Sequence, residues 1–456
     1  MRTENNYFYF SLFFSISGII LSIISYQSVE PFFLILFFWL LILVSNFLLL
    51  STREEYFFCF YILSFFTFFL GLASIFNIIL ESINDDEEFF YLTSIGAAEY
   101  SRLIFFSFDG YGAVYTWKFF YDFFSNIGFS KIPLIGLSLN MYLMTISGLL
   151  VYKAALIIYS KDSNRVRRLF ILYPLNGLIL IFASTHLREA FSFFLITSLL
   201  FFWVLFIINP KIKNLIILFL VNSLSYYSFD LIRPEFLFVP VILGMCFLFA
   251  VLMTNKKENV FYFKGLKFIS LFILFVSIIT LFQSDLYYLL FQAYEGYLIL
   301  NREVSNSASM GTSLIVEAPI IVRIILGSIY LLIFPIPFWS ELSIDSYYHL
   351  LKFLNVIYFY FFIPLFILSI FYFFKIKFYR SVVNYFLLIS FFSFLFAVSM
   401  TSLETRHLGQ FLPLIFLFSL IPSLKQETEV LNFYKIFTIF IFFIISIHMA
   451  WILLRI

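Results

Sequence analysis

Four short polar stretches interrupt an otherwise apolar chain, and their residue types suit acid–base and anion chemistry. The stretch INDDEEFF (83–90) sets Asp85, Asp86, Glu87 and Glu88 side by side directly after an apolar run. A carboxylate at the mouth of a membrane cavity can serve as a general base, and a group of them can hold a cation. The plainer alternative is a solvated helix start, where the dipole favours acids and Asn84 or Asp85 would cap. STHLREAF (184–191) squeezes His186, Arg188 and Glu189 between two apolar runs. A guanidinium matches carboxylate or phosphate through two parallel hydrogen bonds, although Arg188 and Glu189 can equally pair with each other. In DLIRPEF (230–236), Arg233 and Glu235 flank Pro234, a residue suited to open a helix. An Arg at a helix start opposes the dipole and needs an anion, which either a ligand or Asp230 can supply. SLETRHLGQFLP (402–413) repeats the chemistry with Glu404, Arg406 and His407. Arg302, Glu303 and Arg323 lie in a later polar segment that can close over the same place.

Metal and redox chemistry are not expected. Two of the four histidines, His186 and His407, fall in matching Arg-containing turns, but no ligand spacing typical of zinc accompanies them. The two cysteines, Cys59 and Cys246, lie inside apolar runs and read as small core hydrophobes, which excludes a disulfide framework and a thiolate cluster. No Walker sequence and no Gly-rich strand–helix turn appears, so neither a nucleotide nor another cofactor is expected.

The elements that position these stretches are membrane helices. Of 456 residues, 63% are apolar and 12% charged, with 72 Phe and a mean hydropathy of +1.02. A soluble domain would carry roughly 25% charged residues, so a water-facing surface of this size cannot be covered. With 28 Lys+Arg against 26 Asp+Glu there is no basic face for nucleic acid. Apolar runs predict spans near 7–25, 31–50, 56–80, 132–158, 169–185, 190–209, 214–230, 235–253, 268–283, 351–374, 382–401, 409–423 and 432–454. The first run, Tyr7–Ile24, reads as a retained span, because it is long for a signal-peptide core and no small-residue cleavage site follows. The fold class is an all-α polytopic transmembrane bundle of about 11–14 spans, forming a single integral membrane domain over 1–456.

Connections rich in Lys and Arg belong on the cytoplasmic side. Four stand out: Lys161/Arg165/Arg167/Arg168, Lys211/Lys213, Lys256/Lys257/Lys264/Lys267 and Lys375/Lys377/Arg380. All four share one side only if the apolar segment 318–337, with Arg323, Pro335 and Pro337, is a re-entrant or interfacial helix. That gives about 13 crossings and a cytoplasmic N-terminus. Two large loops, 81–131 and 284–350, then lie outside. Loops this long are usually functional, and their amphipathic stretches Phe89–Phe106 and Tyr115–Phe129 suit the membrane interface. An ionisable group in hydrocarbon costs roughly 2.5–3.5 kcal/mol, so the four charged stretches at the external span ends need a reason. Arginines converging with acids from different spans suit an amphiphilic anion, a phosphate or diphosphate gripped by Arg while a carboxylate activates a hydroxyl.

The order of these features resembles the membrane-embedded glycosyltransferases of the GT-C type. The acids Asp85, Asp86, Glu87 and Glu88 match their Asp/Glu motif in the first large external loop. YPLNGLILIFASTHLREAFSFFL (173–195) looks like their stretch from a Pro to an Arg-Glu turn, and Arg233-Pro234 and RHLGQFLP (406–413) also have counterparts there. Three spans precede the acidic motif where GT-C transferases usually have one. The whole architecture is similar to the O-antigen and capsule repeat-unit polymerases of the Wzy type, with two large periplasmic loops and functional arginines. The resemblance covers residues 80–240 and 400–415. It implies a bacterial inner-membrane enzyme that polymerises undecaprenyl-diphosphate-linked oligosaccharide repeat units. Its partners would be that lipid-linked substrate, membrane lipids, a flippase and a chain-length regulator. It further implies catalysis by the Asp85–Glu88 group and substrate binding by His186, Arg188, Glu189, Arg233, Arg302, Glu404, Arg406 and His407. A polyprenyl-phosphate-sugar transferase is the near alternative. A secondary transporter or lipid-linked oligosaccharide flippase is the alternative of another class, for which inverted repeats and broken helices would be the signs.

Overall fold

The structure, a computed structural model, describes residues 2–49, 52–81, 83, 85–98, 111–159, 163–254, 315, 318–333, 346–376, 379–400 and 404–455. Among these residues the regular elements are helical. They run α1 (Arg2–Tyr26), α2 (Glu30–Leu49), α3 (Arg53–Ser74, prolonged by a π-helical turn, Ile75–Ile79), α4 (Asp85–Ile95), α5 (Gly112–Asn126) and α6 (Leu134–Tyr159). Then come α7 (Ser163–Arg167), α8 (Leu169–Leu172), α9 (Gly177–Ser184), α10 (Glu189–Ile208), α11 (Ile212–Ile232) and, after a tight turn at Pro234–Phe236, α12 (Val239–Met253). The last third holds α13 (Ile320–Ile333), α14 (Tyr347–Lys375), α15 (Val382–Met400), α16 (Thr405–Gly409), α17 (Leu412–Phe418) and α18 (Glu427–Arg455). The protein is an all-α polytopic bundle.

Nine of these helices are long and apolar enough to cross a membrane, or ten if the bent pair Asn164–Leu172 and Gly177–Ser184 forms one span. The count is lower than thirteen for physical reasons. The expected span 169–185 is not one helix, because its two parts meet at 61°. Pro174 has no N–H to donate back along the helix, and Asn176, in extended backbone, then caps α9 by accepting from the Ile179 N–H. The expected span 409–423 likewise reduces to the seven-residue α17, with Pro413 in its first turn and α16 before it. Seven residues rise only about 10 Å. The stretch 31–50 forms α2, whose apolar part Glu30–Ser45 is short, and 268–283 lies outside the described residues. Within 318–337, α13 has 14 residues and rises about 21 Å, less than a hydrocarbon core of roughly 30 Å.

Both broken segments lie in the middle of the protein, with every residue of α9 and α17 buried. Irregular backbone at membrane depth needs partners from the protein itself. Buried hydroxyls supply them: Tyr358 donates to the Leu172 carbonyl at 2.8 Å and Tyr159 to that of Leu417 at 3.0 Å, while Tyr173, in the break itself, anchors to α6 through the Met144 carbonyl at 2.7 Å. Arg168 donates to the carbonyls of Leu420 and Pro422. Close packing completes the enclosure, since a Cβ on Gly177 would stand 2.3 Å from the Leu351 carbonyl oxygen of α14. Around this centre, α1, α11 and α18 present mostly exposed apolar faces.

The bundle has two chemically distinct ends. At one, Arg165 donates to the Tyr379 hydroxyl, Arg167 pairs with Glu54, and Arg168 holds 420–422. At the other lie α4, the turns 185–188, 233–236 and 404–407, and the start of α14, from which 29 residues lead to Lys375 at the basic end.

Candidate functional site

The first large loop enters the site through α4 and α5. The α5 sequence repeats buried residues at helical spacing: Ala113, Val114, Trp117, Tyr121 and Phe124 face inward, while Tyr115, Phe119 and Phe123 face out. Trp117 Nε1 donates to Asn140 Oδ1 on α6 at 3.2 Å. The Asn140 amide in turn donates to the carbonyls of Thr185 (2.8 Å) and Leu187 (3.1 Å). One buried Asn thus fixes both the α5 helix and the turn that carries His186. Nothing flagged it in the sequence except its polarity inside an apolar run.

His186 is enclosed by aromatic rings. Its ring centroid is 4.1 Å from that of Trp117, and Nε2 lies 3.1 Å from the Tyr121 hydroxyl. Gly136 makes the space, since a Cβ there would stand 2.2 Å from Nε2. Burial depresses the imidazole from 6.5 to about 3, so His186 is neutral. Beside it, Glu87 Oε2 accepts the His186 backbone N–H at 3.3 Å. No cation reaches Glu87 among the described residues. Burial therefore drives its carboxyl from 4.5 up to about 8, against the His186 N–H and with Asp86 adding repulsion. Glu87 is the one member of the acidic run that points inward: Asp85 and Glu88 are exposed.

A second group, of alternating charge, lies next to this neutral one. Arg233 is its centre, its side chain 3% exposed. Nη1 donates to Glu189 Oε1 (3.1 Å), Nε to Glu235 Oε1 (2.6 Å), and Nη2 to His407 Nε2 (2.5 Å). A guanidinium only donates, so His407 Nε2 accepts and the imidazole is neutral. Burial followed by Arg233 and Arg406 holds its pKa well below the usual value. Arg406 continues the chain toward solvent, with Nη1 on Asp86 Oδ2 at 3.0 Å and Nε on Glu404. Glu189 lies 3.9 Å from Arg406 Nε. Burial alone would raise the Glu404 carboxyl, but Arg406, then Lys352 and Arg233, outweigh it and hold it below the usual range. The same acids hold Arg406 charged: burial opposes it, and Glu404, Tyr348, Glu189 and Asp86 raise its pKa.

Eleven of the twelve expected site residues can be located, and the twelfth, Arg302, lies outside the described residues. The structure brings together Asp86, Glu189, Arg233, Glu404, Arg406 and His407 in one chain of contacts. Glu87 and His186 form the adjacent neutral pair. Arg188 does not pair with Glu189; its Nη2 is 3.9 Å from Glu235 and its guanidinium lies over the Phe90 ring at 5.9 Å. Asp230 is exposed and does not serve Arg233. His186 and His407 face different surroundings, and no group of three His, Cys, Asp or Glu among the described residues is arranged to hold a metal.

Sequence reasoning passed over the start of α14. Tyr347 donates to the Phe69 carbonyl and is 2.7 Å from Ser184 Oγ, which ties α14 to α3 and α9. Lys352 stands one turn beyond Tyr348, its Nζ 4.7 Å from that ring. A lone Lys at the outer end of an apolar run looks like an ordinary interfacial anchor.

The arrangement combines a half-exposed carboxylate–guanidinium pair at the surface, a buried charged support beneath it and a neutral carboxyl to one side. Comparison of the chain with protein-family models, with curated proteins and with solved structures finds no match.

Proposed function

We propose that the chain is a membrane glycosyltransferase acting on lipid-linked sugars, in the first instance a polymerase of undecaprenyl-diphosphate-linked repeat units on the outer side of a bacterial inner membrane. The observation that carries this reading is the contact of Asp86 with Arg406. Residues 320 positions apart place a carboxylate 49% exposed and a charged guanidinium 3.0 Å from each other at the polar end of the bundle. Such a pair serves both halves of a glycosyl transfer. A hydroxyl of the acceptor unit attacks the anomeric carbon of the donor, the bond from that carbon to the diphosphate breaks, and the proton passes to Asp86. Arg406 and Arg188 neutralise the departing undecaprenyl diphosphate. Arg233, Glu189, Glu235 and His407 hold the pair from beneath. The exposed apolar face of α5 suits a substrate that arrives along the membrane.

The test is polymer output from strains carrying Asp85→Asn, Asp86→Asn, Glu87→Gln or Glu88→Gln, with membrane protein level measured alongside. Asp86→Asn is expected to lower polymer by about a hundredfold or more, the scale of general-base catalysis, while the protein accumulates. Normal chain-length ladders in all four would remove the carboxylate role.

A second reading, transport or flipping of a lipid-linked oligosaccharide, is favoured by a different observation. Two broken segments, α7–α8–α9 and α16–α17, run through the protein centre, and discontinuous helices are a transporter trait. Purified protein in liposomes separates the two: a new glycosidic bond supports the transferase, and movement of unaltered lipid-linked sugar supports the transporter.

A further inference from the structure

The cations at the site end are held to very different degrees. Arg233 has Nε, Nη1 and Nη2 all occupied by Glu235, Glu189 and His407. It is walled in by protein and has no edge to offer a ligand. Arg406 commits Nε and Nη1 to Glu404 and Asp86, and its Nη2 makes no hydrogen bond among the described residues. Arg188 makes no hydrogen bond among them either, only the 3.9 Å approach to Glu235. Lys352 has no carboxylate within ion-pair distance among the described residues, and the Tyr348 ring steadies its ammonium at 4.7 Å. The acids at this end are largely spoken for. Glu189 and Glu235 are paired with Arg233, Asp86 and Glu404 with Arg406, while Asp85 and Glu88 point outward. Four carboxylates thus stand against four cations, and the two cations without a hydrogen bond among the described residues are Arg188 and Lys352.

We propose that Lys352 is a phosphate-binding residue which, with Arg188 and the open Nη2 edge of Arg406, forms an anion subsite for the phosphate group of a membrane amphiphile. The inference rests on the lipid-linked donor reading and deepens it. It adds a ligand that the sequence did not mark, and it divides the arginines into two that touch substrate and one, Arg233, that only supports them. The three cations come from different parts of the chain: the turn before α10, the start of α14 and α16. A phosphate bound among them would bridge the middle and last thirds of the chain. A Lys acts here as a point charge, whereas the two arginines can offer planar, directional donors.

The test is calorimetric titration of the purified full chain in detergent with geranylgeranyl diphosphate, with phosphatidylglycerol in mixed micelles as competitor. Lys352→Gln should weaken diphosphate binding by about tenfold or more, the scale of one charge-assisted contact. Lys352→Arg should stay within about threefold of wild type, since the charge is kept. Lys131→Gln, which alters a pair with Asp122 away from the subsite, is the control for general charge loss, and the thermal midpoint of Lys352→Gln controls for folding. Wild-type titration of a folded Lys352→Gln protein overturns the role of Lys352, and it leaves the donor reading standing if Arg188→Lys and Arg406→Lys still lose binding. Equal competition by phosphatidylglycerol keeps Lys352 as a phosphate ligand and counts against the donor reading alone. Failure of wild type to bind either amphiphile overturns both.

Discussion

Glu87 and Glu189 are both almost fully buried, both lie at the same end of the bundle, and they have opposite electrostatic surroundings. Glu87 meets a backbone N–H, neutral aromatic rings and a neutral imidazole. Glu189 meets Arg233 at 3.1 Å and Arg406 at 3.9 Å. The first is a carboxyl that desolvation keeps protonated up to about pH 8; the second belongs to an ion-pair chain extending through Arg406 to Asp86 at the surface. Burial therefore does not assign a role to an acid. What decides is whether a cation is buried with it, because charge leaves water at reasonable cost only when it is paired.

The largest expected effect comes from breaking the charged side of this contrast. Arg233→Met strands Glu189 and Glu235, and losing one partner of a buried pair typically costs about 3–5 kcal/mol. Thermal unfolding in detergent should show that loss, with reduced accumulation in the membrane. A midpoint close to wild type would mean that Arg188 and Arg406 can neutralise both acids unaided.

The neutral side shows itself in pH dependence. Glu87 binds its proton in the folded protein up to about pH 8 but only to about 4.5 when unfolded, so its contribution to stability declines across that interval. His186, depressed from 6.5 to about 3, acts in the other direction, as does His407. Their unfolded forms take up protons below pH 6.5 that the folded forms refuse, so stability also falls on acidification. Glu404, held low, adds to the acid-side loss below its unfolded value. Among these groups the stability optimum lies near pH 6.5, and Glu87 alone governs the fall from 6.5 to 8. At about 1.4 kcal/mol per pH unit for one proton, that fall is about 2 kcal/mol. Melting curves at pH 6.5 and 8 should show it in wild type and not in Glu87→Gln; an equal decline in the variant would place the titrating group elsewhere.

The smallest effect sharpens the contrast at its exposed edge. Asp86 is half exposed, and pairs in contact with solvent contribute about 0.2–1 kcal/mol. Asp86→Asn should shift the unfolding midpoint only slightly, even where polymer output collapses. A large destabilisation would mean that the Asp86–Arg406 contact is structural and that its exposure says little about chemistry.

The all-α membrane bundle and the convergence of the polar stretches were legible because hydropathy and charge are local properties, and a charged group between two apolar runs has few places to go. Two of the expected spans are not single straight helices, for an equally local reason: Pro174 and Pro413 interrupt the helical hydrogen bonding, but an apolar run alone does not tell a straight span from a bent, buried one. Asn140, Tyr347 and Lys352 went unremarked, since a single polar residue at or inside a span has many ordinary explanations. The pairing within the acidic run was also out of reach. Helical geometry turns neighbouring residues by 100°, so the orientation of α4 alone makes Asp86 meet Arg406, Glu87 meet His186, and Asp85 and Glu88 meet solvent.

By itself the sequence determined that this chain lives in a membrane and which polar residues must gather at one end, because the transfer energy of each side chain belongs to its type. Only the tertiary structure decided which acid stays neutral, which arginine is walled in and which cations lack a hydrogen bond among the described residues. Those depend on distances of a few ångströms between residues up to 320 positions apart, and Coulomb interaction and desolvation vary steeply over that range.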